Sequence, residues 1–281
     1  MMKSFIRAAL ERKVRKYLKK HKPLLVLITG SVGKTSTKQA IATVLNEKYR
    51  VRAHDGNHNT HFSVPTAIMG VEYPSNPRSF SEWRAVLRAM SLRIKEEKDV
   101  DVIIQELGTD TPGDIAQFGR YLTADVAVVT AVSEEHMEFF ETMDAVAQEE
   151  LSIAKFAKLT IVNRDDIDEN YAKYADTHTI DTYGLGEKAE YRLIPEPASP
   201  IDGRIGRLVT PEWGELTVTL QLVGDHSLKA AVAAACVGAK LGLTSQHIAN
   251  GISKIKPVPG RMQVLRGQMQ STIIDDTYNA S

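Results

Sequence analysis

The apolar positions along this chain of 281 residues follow two periods. Ile6, Leu10, Val14 and Leu18 recur every fourth residue among lysines and arginines, which predicts an amphipathic basic helix ending near Pro23. Leu24–Ile28 then runs apolar on both faces, the pattern of a strand buried inside a parallel sheet. Comparable runs recur at Val100–Glu106, Asp125–Ala131 and Leu159–Asn163, each followed by a helical pattern. Strand and helix in alternation predict an α/β fold with a doubly wound, mostly parallel sheet. Between Glu190 and Val223 the pattern shortens to alternating runs separated by Pro and Gly, predicting a small antiparallel β excursion. Helical pattern returns in "HSLKAAVAAACVGAKLG" and "TSQHIANGISKI".

The first apolar strand breaks into Gly30-Ser31-Val32-Gly33-Lys34-Thr35-Ser36, and helix-forming residues follow. Two glycines let the backbone turn sharply and approach a ligand without a Cβ in the way. A helix that opens there aims free N–H groups and its positive dipole end at an anion. Lys34 is placed to reach terminal phosphates and the Thr35 hydroxyl to ligate Mg²⁺. Only two residues separate the glycines where the general Walker loop has four, so this is a variant P-loop, and ATP with Mg²⁺ is the expected cofactor.

Ligands of doubly wound sheets sit at the carboxyl ends of the strands, and polar clusters fall there. "QELGTDTPGDI" places Glu106 at one strand end, "AVSEEHMEFF" places His136 beyond another, and "VNRDD" places Asn163 at a third. Glu106 and His136 are candidate Mg²⁺ ligands, although spacing alone fits His136 equally well as a helix cap or surface residue.

Composition adds limits rather than chemistry. With 43% apolar residues the chain can bury one large core or two small ones. No apolar run approaches the roughly 20 residues of a membrane span, and the single Cys236 leaves no internal disulfide, so a cytoplasmic setting is expected. The zero net charge hides an asymmetry. Residues 1–22 hold nine Lys/Arg and one acid, a balance of +8, leaving 26 basic and 34 acidic residues, or −8, elsewhere. The basic helix either packs its stripe on the domain or offers its cations to a membrane surface or an anionic substrate. No basic patch is interleaved with aromatics, and nucleic acid is not an expected partner.

Eight segments, "TGSVGKTSTK", "GNHNTHFSVP", "ELGTDTPGDI", "HMEFF", "VNRDD", "GDHSLKAAVAAA", "PGRMQ" and "IIDDTYNA", stand in the order found in Mur ligases. From about Pro23 onward the chain resembles that family, and in type the members that join D-alanyl-D-alanine to UDP-N-acetylmuramoyl-tripeptide. The resemblance implies an ATP-dependent ligase of peptidoglycan synthesis. Such an enzyme activates a carboxylate as an acyl phosphate, and the dipeptide amine attacks it. It implies that Gly30 to Lys34 cradle phosphates, that Thr35, Glu106 and His136 serve the metal, and that Asn163 and His226 lie near the base. By the same likeness Arg261 reaches the phosphates and Asp276 lies near the ribose.

The likeness has departures. Asn59 and Thr60 stand where the family reads Asn-Asn before its sugar–peptide contacts, and Ala230 where it carries an asparagine for adenine. Fourteen positions after His136, where the family has a lysine carbamylated by CO₂, this chain has Glu150, a permanent carboxylate expected to ligate the metal in its place unless it merely belongs to a solvated helix face. Three regions are expected: 1–22, the basic helix in place of the usual N-terminal domain; 23–270, the central ATPase domain; and 271–281, a linker toward a C-terminal domain. The alternatives to a ligase core are a non-catalytic ATP-binding or scaffolding relative, and another amino-acid ligase of the superfamily resembling folylpolyglutamate synthase.

Overall fold

The computed structural model describes residues 2–175, 179–196 and 204–278. The chain opens with helix α1 (Met2–His21), then strand β1 (Leu24–Thr29), α2 (Lys34–Leu45), β2 (Val51–Ala53), α3 (Ser63–Met69), α4 (Phe80–Arg93) and β3 (Val102–Glu106). It continues through α5 (Asp114–Phe118), β4 (Val126–Val129), α6 (Met137–Phe140), α7 (Met143–Leu151), β5 (Thr160–Asn163), β6 (Ile180–Gly184), β7 (Tyr191–Pro195), β8 (Arg204–Thr210) and β9 (Gly214–Leu220). Helices α8 (Asp225–Lys240) and α9 (Ser245–Ser253) and the hairpin β10 (Gln263–Arg266) and β11 (Thr272–Asp275) complete it.

Among the described residues nine strands form one sheet in the order β2-β3-β1-β4-β5-β6-β7-β8-β9. Pairing is parallel from β2 through β7 and antiparallel from β7 to β9. The antiparallel excursion therefore extends the main sheet. Side chains alternate between two cores, as period-two geometry requires: Leu25 and Leu27 join the core under α1, α3 and α4, while Val26 and Ile28 join the one under α2, α8 and α9.

The expected basic helix forms, and its stripe is spent on packing. Ile6, Leu10, Val14 and Tyr17 are buried in the first core, and Leu18 is only partly buried, because the stripe drifts at 3.6 residues per turn. An amphipathic helix lying on a membrane needs that face free, so α1 is instead built into the domain. Among the described residues no helix is long and apolar enough to cross a membrane. The hairpin that pairs Gln263–Arg266 with Thr272–Asp275 spans the expected boundary at 270/271.

Candidate functional site

Helix α2 starts where the first strand stops, and Gly33 at its N-cap takes the left-handed conformation at φ 86°. Gly30 sits at φ 129° with no room for a side chain: a Cβ would lie 2.2 Å from Thr130 Oγ1 and 2.8 Å from two backbone nitrogens. The loop is braced from β4's end. Ser31 N donates to Ala131 O at 3.0 Å, Thr130 Oγ1 donates to Val32 O at 2.5 Å, and Ser31 Oγ meets the backbone of Ser133. Thr130 N still donates to Thr29 O at 2.9 Å, while the Thr130 side chain and the Ala131 carbonyl, just past the end of β4, hold the loop.

Two cavities flank the loop. One, of about 280 Å³, is lined by Gly33, Ser36, Asn163, His226, Arg261 and Asp276. Here Asn163 Nδ2 donates to Thr130 O at 2.8 Å and to Asp166 Oδ2 at 2.6 Å, and Lys229 Nζ pairs with Asp166 at 2.7 Å. Arg261 stacks on Tyr278 at 4.2 Å, and its Nε is buried with no hydrogen-bond partner among the described residues. Met262 N donates to Asp276 Oδ1 at 3.1 Å. Ala230 lines this wall beside His226 and Lys229 of the same helix. The other cavity, of about 140 Å³, is lined by Lys34, Asn59, Thr60, Asp110, Glu135 and His136. His136 adopts the left-handed conformation before α6 and faces Asp110 at 3.6 Å and Glu135 at 3.7 Å. Lys34 Nζ folds onto the carbonyls of Gly30 and Ser31. A larger open groove, about 650 Å³, lies between residues 70–75 and α4 and contains none of the expected residues.

The expected metal ligands do not converge as one cluster. Among the described residues no three His, Cys, Asp or Glu side chains are gathered to hold an ion. Thr35 Oγ1 donates to Glu106 Oε2 at 3.2 Å, which puts two hard oxygen donors at the loop's helix end. Glu150 is fully buried beneath the loop and accepts from Thr29 Oγ1. Burial pushes its carboxyl up to about 7 against the opposing pull of Lys34 and the Thr29 hydrogen bond. The solvated-face alternative for Glu150 is excluded by this burial. Its neighbour Glu149 is buried too and accepts from Gly113 N and Ile115 N, each at 2.7 Å, and from Thr109 Oγ1 at 3.2 Å.

The residues present fit a nucleoside triphosphate with Mg²⁺. Free N–H groups of α2's first turn, the orphaned Arg261 donor and the Lys34 ammonium meet anionic charge. The Thr35 and Glu106 oxygens suit a hard cation. Sequence reasoning missed Lys38 and Glu149. Lys38 lies one turn past Lys34 on α2, but nothing in its surroundings in the sequence says that it is buried. Acidic pairs such as Glu149–Glu150 usually mark a solvated face.

The Mur ligase middle-domain family matches residues 28–238. A UDP-N-acetylmuramoyl-tripeptide–D-alanyl-D-alanine ligase of Bacillus subtilis (strain 168) is 28% identical over 273 residues, covering 97% of this chain and 53% of that protein. The chain thus spans about half the length of the curated relatives it matches. In fold it is similar to a crystal structure of MurF from Acinetobacter baumannii, with TM-score 0.80, 22% identity, and coverage of 98% of this chain and 55% of that one. It is also similar to MurF ligase from Thermotoga maritima in complex with ADP, with TM-score 0.76, 24% identity, and coverage of 98% and 58%.

Proposed function

The chain belongs to the Mur ligase family, and from that premise we propose that it is the ATP-binding core of a cytoplasmic ligase that forms an amide bond in peptidoglycan precursor synthesis. The substrates proposed are a UDP-linked muramoyl peptide, which offers its carboxylate, and D-alanyl-D-alanine, which offers its amine. The relatives named for that reaction support this choice.

One observation carries the reading: the P-loop separates the two cavities. Gly33 and Ser36 line the side that holds Asn163, His226, Arg261 and Asp276, while the Lys34 side chain lines the side that holds Asn59, Thr60 and His136. The first cavity suits the base, ribose and inner phosphates. The second suits the carboxylate to be activated, with Lys34 at the passage between them. ATP supplies the phosphoryl group that converts that carboxylate into an acyl phosphate. Phosphoryl transfer asks the protein mainly for positioning and charge neutralisation. Lys34 and Arg261 supply positive charge, α2 its N-terminal amides, and Thr35 and Glu106 the oxygens that would hold Mg²⁺. His136 and Glu150 are proposed to complete the metal environment, Glu150 acting as a permanent carboxylate where the family uses a carbamylated lysine.

The test is phosphate release by the protein encoded by the full reading frame. Release should require both UDP-N-acetylmuramoyl-tripeptide and D-alanyl-D-alanine, and mass spectrometry should show the amide product. It should not change with added bicarbonate, and Glu150→Ala should remove most of it. Release driven instead by a folate and glutamate would move the protein to the folylpolyglutamate-synthase-like alternative. ATP binding without release under either pair would favour the scaffolding one.

A further inference from the structure

Lys38 is among the most buried side chains of the molecule, 1% exposed, although it is a lysine. Its ammonium lies 3.3 Å from Glu106 Oε2, both side chains being 2% exposed, and donates to Gly56 O at 3.2 Å. Thr35 Oγ1 also reaches Oε2, at 3.2 Å. Among the described residues no hydrogen bond or ion pair falls on Glu106 Oε1. Burying an ammonium is costly and is tolerated only when a partner and good geometry compensate it, so a lysine in this place calls for an account beyond packing.

The loop that Lys38 touches belongs to the second cavity. Gly56 O also accepts from His58 N at 3.0 Å, Gln105 Nε2 donates to His58 O at 2.5 Å, and Gly108 N donates to Asn59 O at 2.9 Å. These bonds lay residues 56–59 along the end of β3, with Asn59 and Thr60 facing Lys34 across the cavity.

We propose that Lys38 is a positioning residue for the metal site: it holds Glu106 by Oε2, leaves Oε1 free to ligate Mg²⁺ beside Thr35, and ties the 56–59 loop to the same carboxylate. The inference rests on the reading that the chain binds nucleotide with Mg²⁺. A pair one turn apart on α2 then divides the work. Lys34 at the first helical position faces the ligand, and Lys38 faces the carboxylate behind it.

The experiment is a Mg²⁺ titration of the binding of a non-hydrolysable ATP analogue, followed by calorimetry, with metal-free ADP as control. Partners that orient a metal ligand typically contribute 10–100-fold to metal affinity, so Lys38→Met should raise the Mg²⁺ midpoint by about tenfold or more. Metal-free ADP affinity should stay within about twofold, which a general loss of structure would not allow. Lys38→Arg should recover part of the loss. Because Lys38→Met strands a buried carboxylate, Lys38→Met/Glu106→Gln is compared with Glu106→Gln alone. The melting temperatures should be similar and the Mg²⁺ midpoints should agree within about twofold, since Lys38 acts through Glu106. An unchanged midpoint in Lys38→Met, or a further tenfold loss on adding it to Glu106→Gln, overturns the proposal. A wild-type chain whose nucleotide binding ignores Mg²⁺ overturns the functional reading itself.

Discussion

Glu150→Gln, measured without metal, tests the buried carboxyl beneath the phosphate loop. In the folded chain this group titrates at about 7, against an ordinary 4.5 when unfolded. Between those values the folded protein keeps a proton that the unfolded chain releases, so stability falls as pH rises. The contribution is fully present below about 4.5, is lost progressively from there to about 7, and is constant above. A gap of roughly 2.5 pH units corresponds to about 3 kcal/mol. Glutamine can accept from Thr29 as the acid does, but it does not titrate. Urea unfolding in EDTA at several pH values from 4.5 to 8 should therefore show the variant gaining on wild type by about 3 kcal/mol across the range. Other carboxylates titrate alike in both proteins and cancel in the difference. A difference that stays flat with pH would refute the buried, metal-free carboxyl as described. Adding Mg²⁺ with nucleotide should then reverse the order at pH 8, because a charged carboxylate holds a hard cation more strongly than the neutral amide oxygen of glutamine does.

Three further outcomes follow from the same geometry. Lys34→Ala removes the loop's cation, and calorimetry should show ATP affinity reduced about tenfold or more. Glu149→Ala leaves the part-buried Gly113 amide and the buried Ile115 amide without their acceptor. Urea unfolding should show about 2–5 kcal/mol of lost stability, since each stranded donor costs about 1–3 kcal/mol. Gly30→Ala forces a Cβ against Thr130 at a φ of 129°; a loss of at least about 3 kcal/mol, read from melting curves and soluble yield, is expected.

The parts of this molecule legible in its sequence are those governed by periodicity and by glycine. Leu24–Ile28 could be read as a strand because a parallel sheet buries both of its faces, and the P-loop because Gly30 and Gly33 take positive φ, which glycine adopts without steric cost. The apolar run Asp125–Ala131 outlasts β4, because the pattern does not show that the Thr130 side chain and the Ala131 carbonyl past its end brace the loop. The continuation of the sheet through β7 to β9 was not legible, because period-two alternation shows a hairpin but not which edge it joins. The candidate site was legible residue by residue but not as a constellation. Glu106, His136 and Glu150 each sit at or near a strand end or under the loop, yet which of them share a partner depends on side-chain direction, and spacing along the chain carries no record of that.

The acidic pair on α7 shows what spacing conceals. Consecutive residues on a helix point about 100° apart, so Glu149 and Glu150 serve different neighbours. Glu150 reaches Thr29, at the end of the strand that enters the phosphate loop. Glu149 reaches the amides of Gly113 and Ile115 and the Thr109 hydroxyl, in the loop whose Asp110 faces His136. One short helix thereby ties the floor of the P-loop to the outer wall of the second cavity, and both ties are buried carboxylates whose bonds weaken sharply when misaligned. The separation between Lys34 and the Asp110–His136 side is then braced by α7 as well as by the bonds that hold each loop. A substitution at either glutamate should consequently be felt across the cavity from the residue changed. That is why Glu149, which touches no expected ligand, belongs with Glu150 in any account of how the site keeps its shape.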